Sequence, residues 1–70
     1  MEITFDPKAD ALSITFKKGK VFETIEIAPE ILLDVDRNKR PLYLEIIGAS
    51  EKIGKQRVSE VLMRNFALAK

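Results

Sequence analysis

The residues of this chain best equipped for chemistry are four carboxylates, Glu26, Asp34, Asp36 and Glu45, which alternate with apolar positions and so project from one side of a sheet. Acids gathered on one face can hold a hard cation or act as an acid and base pair. In the register that the apolar pattern dictates, Glu26 and Glu45 flank Leu32, while Asp34 falls between Thr24 and Tyr43. The four are therefore spread along the face, and the expectation is a solvated surface. The chain has no Cys and no His, which removes the usual zinc ligands and the commonest general base. Ser13, Ser50 and Ser59 sit in no nucleophile motif. Three isolated glycines cannot form a phosphate-cradling loop. Asp6 and Asp10 bracket a turn, where a carboxylate accepts backbone amides in a structural role. The expectation is a protein that is not an enzyme, with no cofactor and no metal.

Charge is uneven along the chain. Residues 51–70 hold five Lys/Arg against two Asp/Glu, whereas residues 1–50 hold seven against nine. Lys52, Lys55, Arg57, Arg64 and Lys70 could meet phosphates. Single-strand recognition adds stacking aromatics, however, and Phe66 is assigned to the core side of its helix. Nucleic acid is accordingly not an expected partner.

These side chains need elements to position them. Folding residues 31–47 so that Asp36 faces Pro41 sets Val35 against Leu42, Leu33 against Leu44 and Ile31 against Ile46. One face of that hairpin is then wholly aliphatic. Ile3 and Phe5 mark a first strand, turned by Asp6-Pro7; Leu12, Ile14 and Phe16 mark a second. The run Lys17-Lys18-Gly19-Lys20 reads as a hairpin loop, with Gly19 supplying a positive φ. A third strand at 21–27 would then lie beside the second, with Leu12 next to Ile25. Glu23 falls on the apolar side opposite Ile14, an exception that calls for a sheet margin or a bulge. Ala28-Pro29-Glu30 connects to the fourth strand, with Ile27 paired to Ile31 and Ile25 to Leu33. Ser50 is a candidate N-cap. Gly54 interrupts, and a helix follows over about 55–69 with Val58, Val61, Leu62, Phe66, Leu68 and Ala69 on one arc. Asn65 lies within that arc, either at a half-exposed margin or as a polar pin in a symmetric contact.

The fold class is thus α+β: an antiparallel meander of about five strands over 2–48, one domain spanning 1–70, with a C-terminal helix packed on one face. Seventy residues bury a marginal core, and with disulfides and zinc set aside, self-association is the remaining support. Phe22, Leu32, Tyr43 and Ile47 are the outward apolar residues and the candidate interface. The N-terminus lacks a signal-peptide pattern, and no apolar run approaches a membrane span. A cytoplasmic, membrane-free protein is expected.

Several stretches resemble a known family. Phe5-Asp6-Pro7-Lys8-Ala9-Asp10-Ala11-Leu12, Glu23-Thr24-Ile25-Glu26-Ile27, Asp34-Val35-Asp36, Leu44-Glu45-Ile46-Ile47 and Ala49-Ser50 together resemble domain of unknown function 2283, small bacterial and archaeal proteins, over about residues 5–50. Lys39 and Tyr43 stand where the family usually has glycines, and Asn38 is the residue expected to take the left-handed conformation of that turn. The resemblance implies no activity. Some similar proteins look like the partner of a small toxin encoded next door. The functional expectation is a non-enzymatic interaction module, a homodimer, with two further readings held beside it: an antitoxin-like regulator masking a small protein partner, and, weakest, a metal-dependent enzyme built on the acidic face.

Overall fold

In the computed structural model of the chain, which describes residues 1–68 and side-chain surroundings through Arg64, alternation of apolar and polar residues gives five strands. They are β1 (Glu2–Asp6), β2 (Ala11–Thr15), β3 (Glu23–Ala28), β4 (Ile31–Val35) and β5 (Pro41–Ile47), followed by helices α1 (Ala49–Ile53) and α2 (Lys55–Leu68). Expectations for the side chains of Asn65, Phe66 and Leu68, and for Ala69 and Lys70, lie outside the described residues. All pairings are antiparallel, as expected.

The meander is not what forms. The strand order is β1-β2-β5-β4-β3, so β2 lies beside β5 rather than β3, and β2 to β5 have Greek-key order. Leu12 faces Ile46 and Ile14 faces Leu44. The physical reason is burial. β5 carries Leu42, Leu44 and Ile46 on one face and takes two neighbours. Strand β3, bearing Glu23 and Glu26, goes to the sheet edge, where charged side chains stay in water and discourage further pairing. Residues 16–22 consequently form no hairpin. They cross the ends of β5 and β4, where the N–H of Phe16 donates to Leu42 O (2.8 Å) and that of Phe22 to Val35 O (2.9 Å). Gly19 does not have a positive φ; it is small because a Cβ there would come within 3.2 Å of Leu42 Cδ2.

Within the hairpins the expected register holds for Ile25↔Leu33, Leu33↔Leu44 and Ile31↔Ile46. It slips at both ends. Ile31 faces Ala28 instead of Ile27, and Val35 faces Pro41 instead of Leu42, each at an irregularity in the ladder. Two aliphatic rows result, Ile3–Ile14–Leu44–Leu33–Ile25 and Phe5–Leu12–Ile46–Ile31, spanning the strands on one face. Helix α2 packs on β1. Leu12 of β2, Ala49 of α1 and Val58 of α2 form the buried cluster at this contact, with Ile3, Phe5, Ile46, Ile53 and Leu62 around them. Ile25, Leu33 and Leu44 share that face but stand outside this cluster and are only half-buried, so among the described residues the helix packs over one side of the sheet. Val35 and Leu42, each 2% exposed, are buried where the 16–22 crossover passes.

The C-terminal helix is in two pieces because Gly54, at φ 87, ends α1. The N-cap of α1 is Gly48, not Ser50. Ser50 lies two positions further on, within the first turn of α1.

Candidate functional site

On the face away from the helices, cross-strand pairing lines up two rows: Thr15–Tyr43–Asp34–Thr24 and Ser13–Glu45–Leu32–Glu26. Between them is a shallow depression of about 390 Å³ lined by Ser13, Thr15, Thr24, Leu32, Asp34, Tyr43 and Glu45. Asp34 and Glu45 occupy diagonal corners of a square whose other corners are Leu32 and Tyr43, a diagonal spacing of about 7–8 Å. Asp34 is engaged already: the Thr24 hydroxyl donates to its Oδ1 at 2.5 Å. Glu26 lies on the edge strand and is exposed. Asp36 belongs to a different structure altogether. Its Oδ1 accepts the N–H groups of Asn38 (2.8 Å) and Arg40 (2.9 Å), closing the β4–β5 turn. The Arg40 N–H is the main cause holding the Asp36 carboxyl below its ordinary value; partial desolvation pushes the other way, and the Asn38 N–H with the charges of Arg40 and Lys17 reinforces the lowering. Among the described residues, no group of three or more acidic side chains is spaced to hold a metal ion.

The four apolar candidates also divide. Leu32 and Tyr43 are half-buried together on this outer face. The Tyr43 hydroxyl accepts the Gly19 N–H at 3.2 Å and lies 3.4 Å from the Gly19 carbonyl, so the ring holds down the crossover. Ile47 pairs with Ala11 at the far end of β5. Phe22 sits apart on the crossover, 57% exposed, with the Arg37 guanidinium 5.2 Å from its ring centroid. In the turn beneath it, Lys39 rather than Asn38 takes the left-handed conformation, at φ 65.

Asp10 is the structural residue that sequence reasoning located only in part. Its carboxylate reaches out of the β1–β2 turn to α1, accepting the Ser50 N–H (3.1 and 3.2 Å) and the Ser50 hydroxyl (2.8 Å), while its carbonyl accepts the Ala49 N–H (2.9 Å). Asp10 thus supplies from a distance the acceptors that a helix start lacks. A family model described as protein of unknown function (DUF2283) matches residues 2–50. The chain belongs to that family. The DUF2283 match takes in all five strands and stops at Ser50, so it encloses the Asp10–Ser50 link, while α2 lies beyond it. No curated protein and no solved structure matches the chain. Among the described residues, no helix of this DUF2283 chain is long and apolar enough to cross a membrane.

Proposed function

We propose that this DUF2283 chain is a small, non-enzymatic, cytoplasmic interaction module that self-associates. One observation carries the reading: α2 packs on β1, while Ile25, Leu33 and Leu44, continuous with the covered rows, are left half-buried on the same face. A second copy seated there would complete the burial that one short helix begins, and burial of apolar area is the dominant favourable term in association. The outer face is the less favourable surface, because Leu32 and Tyr43 are interleaved there with Asp34, Glu45 and hydroxyl side chains.

Sedimentation equilibrium over micromolar to millimolar concentrations tests this. The expected result is a dimer that Leu33→Asp dissociates and that Leu32→Asp, its neighbour on the opposite face, does not. A monomer throughout removes the proposal. Recovery from the native host of a stoichiometric complex with a different small protein, and no homodimer, replaces self-association with the antitoxin-like reading.

A further inference from the structure

The crossover at 16–22 and the β4–β5 turn enclose a hollow of about 350 Å³, lined by Lys17, Lys18, Gly19, Lys20, Val21, Phe22, Asp36, Arg37, Asn38 and Leu42. That is the size range of small-molecule sites. Four of these side chains are cationic and one is a carboxylate, a local charge of +3 in a chain whose formal total is +1. The Asp36 carboxylate feels the charge of Lys17, and most of the remaining positive charge has no acidic partner among the described ion pairs. The described ion pairs are Lys39–Glu23 and Lys52–Glu30, and neither involves Lys17, Lys18, Lys20 or Arg37. Asp36, the one acid in the lining, spends its Oδ1 on the N–H groups of Asn38 and Arg40.

The hollow has a second, apolar component. Val21 is 41% exposed and Phe22 57%, and Leu42 lies beneath. The backbone that presents the lysines is held at four points: Phe16 N–H and Lys17 N–H on Leu42 O, Gly19 N–H on the Tyr43 hydroxyl, and Phe22 N–H on Val35 O. Cations and an aromatic ring set on a pinned backbone lose less freedom on binding than they would on a free loop. The expectation against nucleic acid concerns the C-terminal basic residues, where the sequence assigns Phe66 to the core side of its helix; in the hollow, cations and an exposed ring stand side by side.

We infer that this hollow binds a nucleoside phosphate, with Lys17, Lys18 and Lys20 receiving the phosphate and the base stacking on Phe22 beside Arg37. Cations that form no described salt bridge supply charge attraction and an exposed ring supplies a sequence-tolerant platform, the two elements that single-stranded and mononucleotide ligands share. The source is either a free nucleotide or a unit of a single strand. The inference does not depend on self-association through the aliphatic face, since the hollow is built from one chain.

The test is titration of the full chain with adenosine monophosphate, a short single-stranded oligoribonucleotide, inorganic pyrophosphate and a polyglutamate peptide. The chain contains no Trp, so Phe22→Trp places a single tryptophan at the ring, excited selectively at about 295 nm apart from Tyr43, and saturable quenching by the nucleotide or the oligonucleotide is expected. Phe22→Ala is expected to weaken nucleotide binding roughly fivefold to hundredfold, the range for loss of one stacked base, while leaving pyrophosphate binding unchanged. Lys18→Gln with Lys20→Gln weakens all phosphate ligands alike. Binding of the oligonucleotide alone identifies a strand as the source; binding of the mononucleotide identifies the free ligand. The inference is overturned if neither binds, if Phe22→Ala leaves nucleotide affinity unchanged, or if polyglutamate binds as tightly, which marks the hollow as a site for acidic peptides.

Discussion

Asp10 and Ser50 stand 40 positions apart in sequence and touch through three hydrogen bonds, two from the Ser50 N–H and one from its hydroxyl at 2.8 Å. The contact is part-buried and ties the β1–β2 turn to the start of α1. A hydrogen bond to a charged group contributes about 1.5–3 kcal/mol, and losing one partner strands the other. Asp10→Ala is therefore expected to cost about 2–3 kcal/mol, and Ser50→Ala, which keeps the N–H bond, about 1 kcal/mol. Urea melts of the two variants check the ranking, and equal costs would mean that the hydroxyl carries the whole link.

Lys39 adopts φ 65 in the β4–β5 turn, a conformation that costs a residue with a Cβ about 1–2 kcal/mol. Lys39→Gly relieves that strain but adds chain entropy to the unfolded state and gives up the 2.7 Å bridge to Glu23, whose partners are 67% and 44% exposed. The expected net effect is a gain of up to about 0.5 kcal/mol. Lys39→Ala, which loses the bridge and keeps the strain, should show no gain. Thermal melts in parallel decide it.

Leu42, at 2% exposure, lies at the centre of the packing beneath the crossover, whereas Leu44 is only half-buried. Leu42→Ala should cost about 2–5 kcal/mol, as a large-to-small change in a closed core does. Leu44→Ala should cost about 1–2 kcal/mol when the chain is dilute, since part of its side chain already meets water. If Leu44 proves the costlier of the two in dilute solution, the described placement of the core is wrong.

Asp36 sets an acid limit. Its folded-state value lies below the ordinary 3.8, chiefly through the Arg40 N–H. Such a group adds stability that is fully present above the unfolded value and is lost as pH falls through the folded one. The turn should hold at neutral pH and weaken below pH 3.8. Asp36→Asn should flatten the dependence in that window while leaving the slope at higher pH unchanged, as followed by circular dichroism during acid titration.

Much of this architecture was legible in single residues. Alternation at Ile3/Phe5, Leu12/Ile14, Ile31/Leu33 and Leu44/Ile46 marked four strands and which side of each faces inward, and Gly54 marked the break between helices. The placing of Glu26, Asp34 and Glu45 on the outer face followed from the same alternation. Glu23 was the signal that the meander was wrong. Its position opposite Ile14 required an exception, and the observed order removes it by setting Leu44 there instead.

The chain's own letters determined strand parity, because the side a residue faces is a period-two property of its strand and survives any choice of neighbour. Tertiary structure alone decided which strand lies beside β2, how far α2 reaches over the sheet, that Asp10 meets Ser50, and that Lys17, Lys18, Lys20 and Arg37 surround one hollow. Each of these depends on the summed burial of the whole chain, with apolar β5 drawn to the centre and charged β3 left at the edge, and no local window of residues contains that sum.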